Sequence, residues 1–176
     1  MSGKTTSALV ARVVDQLERG DVAGAEAQAR KLRETVPDDA ELARLHGVAL
    51  FMLGRSAEAR SAFEQAVRLA PRSVEARSNL AGALQVDGDV EGAVALLEQV
   101  VRDRPSDAAL RNNLANALRA AGDDARACEE YFAALALVPD HFSAIVNRVA
   151  TELSLGRTAD AETRLRGVLA RQPHPQ

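Results

Sequence analysis

The side chains that most often carry out nucleophilic or metal chemistry are few in this chain of 176 residues. They are one cysteine, Cys128, and three histidines, His46, His141 and His174. A single cysteine excludes both an internal disulfide and a zinc site built from cysteines. No two of the four residues have the spacing of a metal-binding pair or a catalytic dyad. We therefore expect no metal, no cofactor and no catalytic residue, with His46 in the core and Cys128 partly exposed on a helix.

Charge and hydropathy exclude further classes of partner. The chain has 22 basic and 25 acidic residues, and its net charge is −3. The charges are interspersed, so no basic stripe is predicted that could follow a nucleic-acid backbone. No apolar run approaches the ~20 residues that a membrane-spanning helix requires. The first twenty residues also lack the apolar core of a signal peptide, and we expect a cytoplasmic protein that binds neither nucleic acid nor membrane.

The elements that would position any site follow from an internal repeat. Glycines at 20, 54, 88, 122 and 156 and prolines at 37, 71, 105, 139 and 173 each recur every 34 residues. We number each repeat so that the glycine is position 15 and the proline is position 32. The five repeats are then residues 6–39, 40–73, 74–107, 108–141 and 142–175, which we treat as a single domain over 1–176. Glycine ends a first helix, helix A, and proline ends a second, helix B.

One apolar stripe recurs on each helix of the repeat. Positions 7, 8 and 11 of helix A are Leu114, Ala115 and Leu118 in the fourth repeat, and positions 20, 24 and 27 of helix B are Ala127, Tyr131 and Ala134. This spacing puts each set on one helix face, so the two faces pack against each other. Small residues at positions 8 and 20 allow the helices to approach, and the larger residue at position 24 fills the space between them.

This pattern resembles the tetratricopeptide repeat, a 34-residue helix–turn–helix unit with an A-x3-aromatic motif and a terminal proline. The motif is present at Ala59–Phe63 and Ala127–Tyr131, and with leucine in place of the aromatic ring at Ala93–Leu97 and Ala161–Leu165. The resemblance covers nearly the whole chain. It implies an all-α fold, a right-handed superhelical solenoid of five helix-turn-helix repeats. It also implies a protein-interaction function, with the A helices lining a concave groove.

The face of each A helix opposite the packing stripe is the predicted groove, at positions 2, 5, 6, 9, 12 and 13. The predicted binding residues are Val10, Val14, Leu17, Arg44, Leu45, Val48, Phe51, Met52, Asn79, Asn112, Asn113, Asn116, Arg119 and Asn147. The surface is apolar in the first two repeats and polar in the last three. Either the apolar part contacts a ligand, or it reflects different packing of an atypical first repeat or contact with the N-terminal segment.

Asparagine at position 6 in three consecutive repeats has two interpretations. Asn79, Asn113 and Asn147 either grip the main chain of an extended peptide, as a similar row does in O-linked N-acetylglucosamine transferase, or brace the neighbouring repeat. The predicted function is binding of a segment of another protein in the groove. Two alternatives stay open: a substrate-recruitment region of a larger bacterial enzyme, such as a protein glycosyltransferase or sulfotransferase, and a self-associating scaffold.

The C-terminal end predicts an uncovered apolar surface. Helix B of the fifth repeat carries Leu165, Val168 and Leu169, and the sequence RQPHPQ follows it. A solenoid usually ends in a capping helix with a polar outer face. We therefore expect the native protein to continue beyond residue 176, and the isolated chain to self-associate weakly through this end.

Overall fold

The computed structural model describes the backbone of residues 3–169 and the side chains of residues 7–167, and the regular structure in that part of the chain is entirely α-helical. The helices are α1 (Gly3–Glu18), α2 (Val22–Thr35), α3 (Ala40–Met52), α4 (Ser56–Leu69), α5 (Val74–Val86), α6 (Val90–Asp103), α7 (Ala108–Ala120), α8 (Asp124–Leu137), α9 (Phe142–Ser154) and α10 (Thr158–Leu169). Odd-numbered helices are the A helices and even-numbered helices are the B helices. The predicted all-α fold is confirmed.

The repeated glycines and prolines end the helices as the sequence predicts. All five glycines at position 15 have a positive φ, between 72° and 83°, which is the left-handed conformation that glycine adopts at no steric cost. At the end of α3, for example, the amide of Arg55 donates to the carbonyl of Leu50, which the helix itself leaves unpaired. The helices α2, α4, α6 and α8 each end two residues before the proline of their repeat.

Side-chain caps start several helices at fixed positions. Asp39, Ser73 and Asp107 each accept a hydrogen bond from a backbone amide in the first turn of the A helix that follows them. Such a cap contributes about 1 kcal/mol to helix stability. The caps and the glycine turns together fix where each hairpin begins and bends, so the 34-residue spacing in the sequence becomes a 34-residue spacing of structural positions.

Within each hairpin the predicted stripes pack together. Leu114, Ala115 and Leu118 are buried, as are Tyr131 and the alanines at positions 20 and 27 of the same repeat. The two helices approach closely in the second repeat, where a Cβ added to Gly47 would lie 2.5 Å from Cε1 of Phe63. Glycine at position 8 is thus what lets the Phe63 ring fill the space between α3 and α4.

The chain divides into two compact units, Met1–Leu96 and Leu97–Gln176, which we call unit 1 and unit 2. In unit 1 the core continues from one repeat into the next, since Leu42 of α3 and Ala29 of α2 belong to the same cluster of buried residues. A second cluster joins Ala43 of α3, Ala66 of α4 and Ala76 of α5. The expectation of a single domain over the whole chain stays a prediction.

Neither a membrane span nor a metal site is found among the described residues. No helix in that part of the chain combines the length and the hydropathy needed to cross a bilayer. The described histidine, cysteine and carboxylate side chains form no group of three that could hold a metal ion. Val168, Leu169 and the segment after them, on which the prediction of an apolar C-terminal end partly depends, lie outside the described side chains.

Candidate functional site

The apolar part of the predicted groove is largely core. Val10, Val14 and Leu17 of α1 pack against a buried cluster that includes Leu45 and Ala49 of α3. Leu45 is only 4% exposed, and the prediction that it faces a groove is wrong. The reason is that position 6 of an A helix contacts the A helix of the preceding repeat, so the apolar row joins two repeats.

Two large apolar side chains of this row are exposed. Phe51 is 38% exposed and Met52 is 56% exposed at the C-terminal end of α3. Val48, one turn earlier, is half-buried and packs against the core of the second and third repeats. Arg44 is held by Glu41, to which its Nε and Nη2 donate at 2.8 and 2.6 Å. Among the predicted binding residues of unit 1, the exposed apolar side chains are therefore these two, at the C-terminal end of α3.

The asparagines have different environments. Asn112 is 6% exposed with a buried Oδ1 that has no hydrogen-bond partner, so it is not available to a ligand and its place in the predicted groove is corrected. Asn79 is half-buried, and its buried Nδ2 is also without a partner. The residue at position 9 of the repeat before Asn79 is Val48, which has no polar group to offer. Asn113 is half-buried.

In unit 2 two asparagines and a tyrosine form one hydrogen-bond network. The Oδ1 of Asn116 accepts from the hydroxyl of Tyr131 at 2.6 Å and from Nδ2 of Asn147 at 2.9 Å. Tyr131 is fully buried. Asn147 therefore hydrogen-bonds to the preceding repeat, which agrees with the interpretation that the position-6 asparagines brace neighbouring repeats. Because both donors fix its Oδ1, the Asn116 amide has one orientation, with its Nδ2 left to donate elsewhere.

Asn116 lines a cleft between α7 and α9, which we call the α7–α9 cleft. Its volume is about 350 Å³, and its other lining residues are Arg119, Ala120, Asp124, Ala150 and Ser154. The Ser154 hydroxyl donates to Asp124 Oδ2 at 2.7 Å. Arg119 is exposed. The cleft thus presents the oriented amide of Asn116 and the cation of Arg119 beside a carboxylate that already has a partner.

The electrostatics of the network keep the tyrosine neutral. Burial raises the pKa of Tyr131 to about 12, although the nearby charge of Arg119 acts in the opposite direction. The hydroxyl therefore stays a hydrogen-bond donor to Asn116 across the physiological range. Sequence reasoning named Asn116 and Arg119 but missed Tyr131 as a functional neighbour. The sequence does contain a signal for Tyr131. Position 24 is Ala, Phe or Leu in the other repeats, and a buried tyrosine hydroxyl at this packing position needs a hydrogen-bond partner.

The remaining polar groups of note are structural. Glu152 is buried and its Oε1 accepts from both Arg148 and Arg164 at 2.8 Å. Burial alone would raise the pKa of Glu152, but the hydrogen bonds and charges of the two arginines outweigh burial and lower it. Cys128 is buried, so the prediction of partial exposure is wrong, and burial raises the pKa of its thiol. The buried thiol lacks the thiolate character that reactivity requires.

His46 lies in the core, as predicted, and is part of a polar cluster. Arg33 Nη1 lies 2.5 Å from His46 Nδ1, so this ring nitrogen must be the acceptor, and Nε2 lies 3.5 Å from Oε1 of Glu26. Burial and the charge of Arg33 lower the pKa of His46. The cluster joins the first two repeats and includes none of the residues of the Phe51–Met52 surface.

Comparison with known proteins agrees with this architecture. Two family models, each described as "Tetratricopeptide repeat", match residues 10–74 and 50–112 and together cover more than half of the chain. The chain belongs to the tetratricopeptide repeat family. Tetratricopeptide repeats stack into arrays whose surfaces bind other proteins, so the chain is a protein-interaction scaffold module. No curated protein matches the sequence.

Solved structures of MamA are similar to this tetratricopeptide repeat protein. MamA 41-end from Desulfovibrio magneticus RS-1 matches with a TM-score of 0.85 and 20% identity over 97% of this chain and 96% of that one. A MamA RS-1 ArsTM double mutant gives 0.84 at 20% identity with the same coverage, and a further crystal structure of MamA gives 0.79 at 20% identity over 96% and 92%. At this identity the likeness establishes the fold.

Proposed function

We propose that the chain binds an extended segment of a partner protein in the α7–α9 cleft of unit 2. The observation that carries the proposal is the fixed amide of Asn116, whose Oδ1 is held by Tyr131 and Asn147 while the residue lines the cleft. A donor that is oriented before binding loses little freedom on binding, which is how pre-organised sites gain affinity.

The chemistry of the cleft selects its partner. Asn116 offers an N–H to a main-chain carbonyl, and Arg119 offers several N–H groups to a carboxylate. The partner segment should therefore carry an aspartate or glutamate close to the residue whose carbonyl meets Asn116. A volume of about 350 Å³ is at the lower end of the range for ligand sites. It suits one or two inserted side chains with main chain beside them, and not a folded domain.

Magnitudes indicate a moderate affinity. Each net hydrogen bond contributes ~0.5–1.5 kcal/mol, and one to a charged group ~1.5–3, while association costs at least ~4 kcal/mol. Asn116 and Arg119 alone would scarcely offset that cost. Apolar burial against Ala120 and Ala150 has to contribute, at about 25 cal/mol per Å². We expect dissociation constants in the micromolar range for a single segment, near −8 kcal/mol.

A displayed library of random peptides tests the proposal without knowledge of the natural partner. The library is selected on the full chain, and the enriched peptides are titrated into the wild type, Arg119→Glu and Arg102→Glu. Arg102 is exposed on α6 and outside the cleft, so its variant is the matched control. We expect acidic peptides that lose at least tenfold in affinity with Arg119→Glu alone. Peptides that bind all three proteins equally would refute the cleft as the site.

Phe51 and Met52 of unit 1 are a separate candidate contact, because they are the exposed apolar members of the predicted groove. Phe51→Ala should leave helicity unchanged and should weaken binding of those partners that use this surface. The same selected peptides, titrated into Phe51→Ala, distinguish the two sites. If Phe51→Ala weakens peptide binding and Arg119→Glu does not, the binding site is in unit 1 and the cleft proposal is wrong.

A further inference from the structure

The two ends of the array expose positions that the internal repeats bury. Position 24 is 0–2% exposed in the first four repeats, whereas Leu165 at position 24 of the fifth is 44% exposed. Position 3 shows the same pattern in the first repeat. It is buried in repeats two to five, whereas Ala8, at position 3 of the first repeat, is exposed. In the core between the first two repeats, position 24 (Ala29) and position 3 (Leu42) belong to one cluster.

A groove of the first repeat has the position that the preceding B helix has in the second repeat. It lies between α1 and α2, has a volume of about 630 Å³, and is lined by Leu9, Arg12, Ala27, Lys31 and Leu32 among others. Arg12 and Lys31 occupy positions 7 and 26 of the first repeat. In the second repeat those positions are His46 and Gln65, and both are contacted by Arg33 of the preceding B helix. The repeat register therefore places a B helix over this groove.

The same register defines what that helix should carry. Glu26, at position 21 of α2, reaches forward to position 7 of the next repeat, with its Oε1 3.5 Å from His46 Nε2, and it lies 3.6 Å from Arg30 on its own helix. Cys128, at position 21 of α8, is likewise within the electrostatic influence of Arg148 at position 7 of the next repeat. Position 21 of a B helix thus meets position 7 of the repeat that follows.

The B helix α10 has the matching features. Glu162 is at its position 21 and pairs with Arg166 at 2.6 Å, as Glu26 pairs with Arg30. The Glu162 and Arg166 side chains are 63% and 77% exposed. Position 7 of the first repeat is Arg12, a cation, so Glu162 of one copy and Arg12 of another have opposite charges at the two positions that the register brings together.

We propose that α10 of one copy of this chain docks on the α1–α2 groove of a second copy, so that copies stack head to tail in the 34-residue register. Leu165 covers the exposed Ala8 side of α1, and Glu162 pairs with Arg12. In the second repeat, Arg55 at position 16 also pairs with Glu26 of the preceding helix. The first repeat has Asp21 at position 16, and its carboxylate already accepts from the amide of Gly24 and from Gln16 Nε2. Arg12 is therefore the group that Glu162 meets.

The contact joins two different surfaces, so each copy can accept one neighbour and dock on another. Such heterologous contacts generate rings or open chains of copies, in contrast to a two-fold dimer. The 176-residue chain should therefore show a weight-average mass that rises beyond the dimer as concentration increases, and high salt should weaken the Glu162–Arg12 part of the contact. The α1–α2 groove and the α7–α9 cleft share no lining residue, so this proposal does not rest on partner binding in the cleft.

Charge reversal tests the register directly. Sedimentation velocity is measured over a concentration series for the wild type, Arg12→Glu, Glu162→Arg and an equal mixture of the two variants. Each variant alone places like charges at the contact, and we expect association about tenfold weaker. In the mixture, contacts between the two different variants join opposite charges, so association should be stronger than for either variant alone and should approach the wild-type level. Arg68→Glu and Glu129→Arg, on exposed faces of α4 and α8, should associate as the wild type does.

Three outcomes would overturn the proposal. The first is a wild type that stays monomeric throughout the series, which would leave the groove to another occupant. The second is a mass that levels off at the dimer. The third is association of the mixture no stronger than that of either variant alone. Circular dichroism of each variant confirms that the exposed substitutions leave the helices intact, so that a loss of association reports the contact.

Discussion

Removing a single hydroxyl, Tyr131→Phe, tests whether the α7–α9 cleft is held in a fixed arrangement. The Tyr131 hydroxyl donates to Asn116 Oδ1 at 2.6 Å, and the ring is fully buried. Phenylalanine keeps the ring and its packing and removes only the donor. The Asn116 oxygen still accepts from Asn147 at 2.9 Å, so no buried acceptor is left without a partner.

The expected loss of stability is small because Asn116 Oδ1 keeps its hydrogen bond from Asn147. A net hydrogen bond contributes ~0.5–1.5 kcal/mol, and the larger penalty of an unpaired buried group does not apply. We expect the free energy of unfolding to fall by about 1 kcal/mol, a decrease of roughly 2–4 °C in melting temperature for a chain of this size. Because the hydroxyl has a pKa of about 12, the difference between the two proteins should not vary with pH from 6 to 9.

Urea unfolding followed by circular dichroism measures the stability difference, and titration of the selected peptides measures the functional one. With its oxygen held by one donor in place of two, the Asn116 amide is less well oriented, and peptide affinity should fall several-fold even under conditions where the variant is fully folded. An unchanged unfolding free energy together with unchanged affinity would refute the fixed-amide argument. A loss above about 3 kcal/mol would show that the ring had repacked.

Three further predictions concern stability. Gly47→Ala should destabilise the chain by about 1 kcal/mol, because overpacking against Phe63 exceeds the gain in helix propensity. Gly82→Ala should stabilise the chain, because the space around Gly82 is open. Equal effects of the two substitutions in thermal melts would contradict the close-packing argument. Because the pKa of Glu152 is lowered in the folded state, its contribution is present above the ordinary value of 4.5 and is lost as pH falls through the folded value. Glu152→Gln should therefore flatten the acid limb of the stability curve below that pH, and an acid limb identical to the wild type's would contradict this. Finally, α1 and α2 should exchange amide hydrogens faster than α7 and α8, because the first repeat has Arg12 at packing position 7 and the small Ala29 at position 24; equal protection would show that the first repeat is not the weaker one.

The hairpins and their internal packing were predictable because they depend on local signals. Glycine at position 15 and proline at position 32 act on the backbone within their own repeat. The alternation of small and large residues at positions 8, 20 and 24 likewise reports packing of two adjacent helices. Gly47 opposite Phe63 is the clearest case, because the pair occupies the same two positions as Ala115 and Tyr131.

The groove was harder to predict because contact between repeats and contact with a ligand use overlapping faces of the same helix. Leu45 at position 6 lies on the arc that the helical wheel assigns to the concave side, yet it packs on α1. Cys128 at position 21 is likewise buried, and the charges of Glu152 and Arg148 in the next repeat act on its thiol. A helical wheel gives direction around one axis, whereas burial here depends on which neighbouring helix occupies that direction.

The most direct test of partner binding in the α7–α9 cleft is a nuclear magnetic resonance titration of the isotope-labelled chain with a selected acidic peptide. We expect the side-chain amide signals of Asn116 and the backbone signals of Arg119 and Ser154 to shift in proportion to saturation. The corresponding shifts should be smaller in Tyr131→Phe. Unchanged Asn116 signals at full saturation, with the shifts located on the B helices, would contradict the central claim that this cleft receives the partner.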